Sequence, residues 1–441
     1  MEYSERIIYG EYTDVLSFLK LRAGYGQNGN INPDYIGSYT LQGSYSTTGK
    51  YDGTLGYTLG NLPLPGIYWE KSSTFDAALD ISFLSNKYNL SIGYFNRLTS
   101  DLYAYINLPG SSGKGSLLTN NGKVRNQGLE LDASVNVLNT RDWTWKVGGN
   151  ISLIKSVIEE LPYNGNDNNR QGGQEVYSGR KLADGSYEKT WVGGKQQGQS
   201  VGNMYGYIAE GFYRDEEDIR QHGIKKDITM SRTIYSPEEY AKLSDADKKN
   251  AHVLAPGDVK WKDINGDGVI DQYDQGYLGN QVPKWTGGFN TTLTWKDFSL
   301  YAKFDFALGH TIYDSLRPQF LSNNQGEFNT TVDVKNTWTP DNLNAKYPRY
   351  DRADGLVKNN YRTSTIFAYN GNYLCVRDVT LSYSVPRILL EKVQIQGLKL
   401  SVTGQNLAYL KSDIYTPEGR GFANSTYPLP ISVVFGAQLT F

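Results

Sequence analysis

The stretch Ile431-Ser432-Val433-Val434-Phe435-Gly436-Ala437-Gln438-Leu439-Thr440-Phe441 decides the fold. Ile431, Val433, Phe435, Ala437, Leu439 and Phe441 fall on one face of an extended chain, and Ser432, Val434, Gly436, Gln438 and Thr440 on the other. Successive strand residues point to opposite faces, so this segment has one apolar face and one mostly polar face. Ending on an aromatic with no polar tail, it reads as the closing strand of an outer-membrane β-barrel, whose strands meet lipid outside and water inside.

Outward from that strand the same period of two recurs about ten times, an even number as a barrel of this kind requires. The segments run approximately over Phe18–Tyr25, Trp69–Phe83, Tyr88–Ile106, Lys123–Val137, Trp143–Val157, Lys284–Trp295, Phe298–Leu308, Tyr373–Ser384, Leu398–Leu407 and Ile431–Phe441. In one of the clearest, Phe298, Leu300, Ala302, Phe304, Phe306 and Leu308 oppose Ser299, Tyr301, Lys303, Asp305 and Ala307. The side-by-side Arg377 and Asp378 interrupt the alternation after Tyr373 and predict a bulge.

The connections sort by parity. Short turns at Ser85–Lys87, Asn139–Asp142, Lys296–Asp297 and Pro386–Gly397 alternate with long segments at Gln27–Tyr68, Asn107–Gly122, Ile158–Val282, Gly309–Asn372 and Tyr409–Pro430. Short periplasmic turns against long extracellular loops are the asymmetry of outer-membrane barrels, and a soluble sandwich has no reason to adopt it. The largest loop, 158–282, is expected outside the cell, with a helix over Ser236–Asn250 opened by the capping box Ser236-Pro237-Glu238-Glu239.

Composition agrees. In 441 residues there are 35 Tyr, 15 Phe, 8 Trp and 47 Gly, yet only 39% are hydrophobic, as expected where half of each strand is polar and aromatics girdle the interfaces. A formal net charge of -2 gives no basic field for nucleic acid. No run of about 18 apolar residues exists to cross as a helix. Met1-Glu2-Tyr3-Ser4-Glu5-Arg6 lacks the apolar core of a signal peptide, so the expectation is the C-terminal part of a longer chain. The single Cys375, at the start of a strand, reads as passive packing.

The sharpest chemical motif is Asp263-Ile264-Asn265-Gly266-Asp267-Gly268-Val269-Ile270-Asp271-Gln272-Tyr273-Asp274. Asp263, Asn265, Asp267, Asp271 and Asp274 stand at positions one, three, five, nine and twelve of a calcium loop, Gly268 supplies the turn at six, and Val269 offers a carbonyl at seven. Asp replaces the bidentate Glu at twelve and long flanking helices are lacking, so the expectation is one structural Ca²⁺ in an extracellular loop; the bland alternative is a cluster of Asx turns. Gly110–Ser116 departs from phosphate-loop spacing and reads as a hairpin loop. His222, His252 and His310 lack metal-ligand spacing. The pairs Asp76/Asp80 and Glu130/Asp132 read as lumen polarity rather than as a catalytic acid and base, and no enzyme activity is expected. Tyr35, Tyr39, Tyr45, Tyr51 and Tyr57 offer rings for sugars or for loop packing.

Longer matching stretches run nearly the whole length: Leu19-Lys20-Leu21-Arg22-Ala23-Gly24-Tyr25-Gly26-Gln27-Asn28-Gly29-Asn30, Trp69-Glu70-Lys71, Gly122-Lys123-Val124-Arg125-Asn126-Gln127-Gly128-Leu129-Glu130, Tyr205-Gly206-Tyr207 and Pro283-Lys284-Trp285-Thr286-Gly287-Gly288-Phe289. Trp338-Thr339-Pro340, Val379-Thr380-Leu381-Ser382-Tyr383 and Gly404-Gln405-Asn406-Leu407 continue the series. On these residues the chain resembles the C-terminal half of SusC/RagA-type TonB-dependent outer-membrane transporters. The resemblance implies a 22-stranded plugged barrel, of which this chain would supply about ten strands. It also implies a SusD-like surface lipoprotein as lid, TonB acting through an N-terminal part not in this chain, and a glycan or peptide oligomer as cargo. The competing expectation is a calcium-dependent secreted protein that binds or cleaves glycans.

Overall fold

The computed structural model describes residues 15–322, 329–351, 359–390, 395–411 and 429–441. Met1–Arg6, most of the Tyr409–Pro430 connection and part of the Pro386–Gly397 turn lie outside them. Ten strands form one antiparallel sheet in which every neighbour is the next strand of the set. They are β1 (Leu16–Asn30), β2 (Glu70–Phe83), β3 (Tyr88–Asn107), β4 (Ser116–Asn139), β5 (Trp143–Glu160), β6 (Trp285–Trp295), β7 (Phe298–Leu308), β8 (Tyr373–Ser384), β9 (Gly397–Lys411) and β10 (Ser432–Thr440). All ten expected strands are present. Among the described residues β1 and β10 each pair on one side only, leaving the sheet open.

The register holds the two faces apart. Leu21, Leu79, Ile92, Leu131 and Ile151 stand opposite one another across β1–β5, and the adjacent row is Lys20, Asp80, Ser91, Asp132 and Asn150. A slip of one residue would place the polar row in lipid, so the alternation fixes the pairing. On the polar face Arg22 grips Asp80 with a fork at 2.7 and 2.9 Å, while Ser91 donates to the same carboxylate at 2.7 Å. The pair Asp76/Asp80 is thus divided, with Asp80 committed to an arginine.

At the short-turn end of the apolar face, aromatic rings form a ladder. Trp143 stacks on Trp295 with centroids 5.6 Å apart, Trp295 lies 6.1 Å from Phe298, and Phe298 lies 4.6 Å from Tyr383. Amphipathic rings concentrate at membrane interfaces, and a ladder flush with the turns marks that level here.

The expected bulge sits at Arg377. The β8 register skips it against both neighbours, between Val376 and Asp378. Its guanidinium then forks onto Asp305 at 2.6 and 2.9 Å and donates to Asn406 at 2.7 Å. Cys375, next to it, is fully buried.

Two expectations need correction. The helix over Ser236–Asn250 is two short helices, Pro237–Ala241 and Asp245–Lys248. Ser236 caps the first as expected, but Ser244 accepts from the Asp247 N–H and opens a second helix, so the chain turns between them. Asn107–Gly122 is not a long loop: β3 and β4 pair as far as Asn107 and Ser116, closed by a single turn at Gly110–Ser112 with Gly113 left-handed at φ 71°. The Gln27–Tyr68 segment carries its own hairpin, Tyr45–Tyr51 against Thr54–Leu59.

Candidate functional site

The buried apolar clusters lie in the two longest connections, not in the sheet. Tyr213, Ile219, Ile224, Ile234, Leu254, Val259, Trp261 and Ile270 form one within the β5–β6 connection. Leu278 joins Tyr313, Leu321, Tyr347 and Phe367 in a second, which takes residues from both connections. A sheet whose faces meet lipid and water needs no interior of its own, whereas a loop of this length must bury apolar area to stay ordered.

Arg362 of the β7–β8 connection clasps the two together. Its guanidinium lies against the rings of both Tyr207 and Trp261, 4.4 and 4.5 Å from their centroids. It donates to Asp227 Oδ2 at 2.7 Å and to Thr229 Oγ1 at 2.8 Å, and the Arg362 and Asp227 side chains are 2% and 1% exposed. Asp227 is further held by the Thr229 N–H and hydroxyl at 3.0 and 2.7 Å. A second clasp runs through buried Asp258, which accepts from Arg349 at 2.6 Å and Asn359 at 2.9 Å. Backbone joins in, with the Tyr207 N–H donating to Thr363 O at 2.8 Å. Gly257, at φ 85°, brings its backbone against the Trp338 ring, where a Cβ would collide. The two connections are therefore one folded cap. None of Arg362, Asp227, Asp258 or Arg349 was singled out from the sequence, because no local spacing links residues this far apart.

The Asp263–Asp274 loop lies on the edge of this cap. Its acids are turned onto the loop's own N–H groups: Asp263 accepts from Gly266 and Gly268 at 2.7 and 2.6 Å, and Asp267 from Val269 at 2.6 Å. Asn265 Oδ1 accepts from the Asp267 N–H at 3.1 Å while its amide donates to Asp267 Oδ2 at 3.0 Å. Asp271 accepts from the Tyr273 N–H at 2.7 Å and the Tyr177 hydroxyl at 3.2 Å. Val269 and Ile270 pair in parallel with Lys226 and Asp227, which ties the loop to the clasp. Among the described residues no three acids, histidines or cysteines are drawn together as a metal cluster. Asp274 differs from the rest. It is 1% exposed, accepts from the Ile264 and Asp271 N–H groups at 2.9 Å each, and burial, with Asp271 and Asp263 nearby, pushes its carboxyl up to about 7. Burial beside Asp271 likewise pushes the Tyr177 phenol up to about 12.

The three histidines occupy separate elements: His222 pairs with Asp218 at 3.0 Å, His252 lies in Ala251–Val253, and His310 is buried at the end of β7. Although burial opposes its charge, Lys260, the Arg214 N–H and His222 hold the Asp218 carboxyl well below the usual carboxylate range.

A one-sheet meander with an apolar outer face, an aromatic ladder at tight turns and a folded cap at the opposite end defines an outer-membrane β-barrel wall. Comparison with known proteins agrees. Residues 11–225 match the family described as "TonB dependent receptor-like, beta-barrel". TonB-dependent receptor P3 of Formosa agariphila is 27% identical over 90% of this chain and 35% of its own length. TonB-dependent receptor SusC of Bacteroides thetaiotaomicron is 25% identical over 97% of this chain and 38% of its own. A solved structure of the RagAB peptide transporter superposes with a TM-score of 0.69 at 21% identity, covering 99% of this chain and 42% of that one. The fold is that of a TonB-dependent-receptor β-barrel, a fold of the Gram-negative outer membrane, and the chain is similar to its SusC and RagAB representatives. The chain spans under half the length of these relatives, which are named as receptors and a transporter.

Proposed function

We propose that this chain supplies ten strands of wall and the extracellular cap of a TonB-dependent importer of nutrient oligomers, glycans or peptides, working with a SusD-like surface lipoprotein. The observation that carries the reading is the clasped cap: two long connections are folded into one body above the same end of the sheet, which suits a mouth that must receive cargo and meet a lid. TonB acts through a part of the protein outside this chain. The rival secreted glycan-active protein is disfavoured by the exposed apolar rows, which would have no cover in water. Deleting the gene in its native strain and supplying oligosaccharides or peptides as sole nutrient tests the reading. Loss of growth on one class, restored by the full-length gene, is expected together with a co-purifying lipoprotein; unchanged growth and uptake on both classes would overturn it.

We also propose that Asp263, Asn265, Asp267, the Val269 carbonyl, Asp271 and Asp274 hold one Ca²⁺ that braces the cap. The support is the ligand spacing and the buried Asp274, an acid that a cation would keep ionised at neutral pH. Calorimetry on the intact transporter should show calcium-dependent heat that Asp267→Ala abolishes. No heat and no thermal shift at millimolar calcium would remove the proposal.

A further inference from the structure

On the lipid-facing side of β3–β6 the side chains leave a groove of about 590 Å³. Its floor is made by small residues, Ala133 and Gly149, and its walls by Tyr88, Val135, Val147 and Phe289. Phe289 is fixed in place by stacking on Phe304, with centroids 4.5 Å apart, so the wall does not fold into the gap. Tyr88, Val135 and Val147, paired in register, form its wall on the side nearer the short turns. Three successive turns there carry exposed cations: Lys87 before Tyr88, Arg141 between β4 and β5, and Lys296 between β6 and β7. Lys87 and Lys296 lie over the rings of Tyr88 and Trp295, at 5.6 and 5.8 Å from their centroids, which holds the ammonium groups at the level of the aromatic ladder. The turns around Arg141 and Lys296 are adjacent, since the Lys296 N–H donates to Asp142 O at 2.8 Å. Asp142 and Asp297 adjoin Arg141 and Lys296 in sequence, whereas the Ser85–Lys87 turn holds no acid.

We infer that this groove and the cations of the turns beyond its wall bind one anionic phospholipid of the periplasmic leaflet, with an acyl chain along Ala133 and Gly149 and the phosphodiester at Lys87 and Arg141. A chain-wide apolar slot accounts for a tail, and cations at headgroup level account for the phosphate, since basic residues beside a membrane-spanning wall attract anionic lipid. Lipid is the occupant because this face is the one the barrel turns to the bilayer. The inference depends on that placement and not on the identity of the cargo, so its failure would leave the transport reading untouched.

Native mass spectrometry of the full-length transporter, delipidated in mild detergent and offered phosphatidylglycerol or phosphatidylcholine of equal chain length, tests it. Retention of phosphatidylglycerol at least fivefold above phosphatidylcholine is expected, falling toward parity in Lys87→Gln/Arg141→Gln. Ala133→Phe should lower retention of both lipids by filling the slot. Equal retention in the unaltered protein, or a preference that survives the double substitution, would overturn the proposal. Heat-modifiable migration monitors folding of the variants. Should one misfold, spin-labelled phosphatidylglycerol on the unaltered protein decides: a motionally restricted component that fades with added salt supports the site, and its absence sinks it.

Discussion

Two side chains in the cap carry the clearest consequences at the scale of single residues. Arg362→Ala would leave the buried Asp227 without its cation, and breaking a buried pair from one side costs about 3–5 kcal/mol. Arg362→Lys should recover only part of this, because an ammonium lacks the flat guanidinium face that lies against both Tyr207 and Trp261. Hydrogen exchange of the cap amides in the full-length barrel measures both, and equal protection in all three proteins would show that the clasp is idle. Asp274 gives a pH prediction of opposite sense to the usual carboxylate. Its pKa is raised in the folded cap, so the protonated form favours folding, and that stability is full below about 4 and lost as pH rises toward 7. In a chelator the cap of the unaltered protein should melt higher at pH 5 than at pH 8. Asp274→Asn should remove that part of the difference, and calcium at millimolar level should flatten it. None of the clasp was legible beforehand: Arg362 and Asp227 are 135 residues apart and carry no mutual pattern.

Elements were legible where a physical contrast repeats along the chain. Lipid on one face and water on the other impose a period of two on all ten strands, and that period survives in the residues themselves. The same contrast predicts that Phe304→Arg, on the lipid-facing row, should cost about 2–4 kcal/mol near mid-membrane, whereas Lys303→Gln, one residue away, should cost little. Equal losses in folding titrations of the full-length barrel would mean that the faces are exchanged. Bounds were harder to see. The β3–β4 hairpin pairs beyond the apolar band, where both faces meet water and alternation fades. The second helix start at Ser244-Asp245-Ala246-Asp247 has the spacing of a cap, yet the polar stretch around it lacks the apolar rhythm that would separate two helices from one. The calcium-type loop was legible as a motif, but which of its oxygens face the backbone is a matter of local geometry that spacing does not encode.

For the molecule as a whole, the sheet edges at β1 and β10 set the terms of assembly. Unpaired backbone groups in hydrocarbon cost several kcal/mol each, so this stretch expressed alone should aggregate or fail to insert, while the full-length chain should yield a heat-modifiable barrel. A monodisperse monomer of the stretch alone in detergent, with native strand content, would mean that it closes a smaller barrel by itself. The clasp has a different consequence at this scale. Because the β5–β6 and β7–β8 connections hold each other through Arg362, Asp227, Asp258 and Arg349, covalent continuity of either one is not what keeps it in place. A surface protease that nicks an exposed turn of the cap should therefore leave a barrel of unchanged size and unchanged heat-modifiability, whose severed pieces part company only on boiling in denaturant.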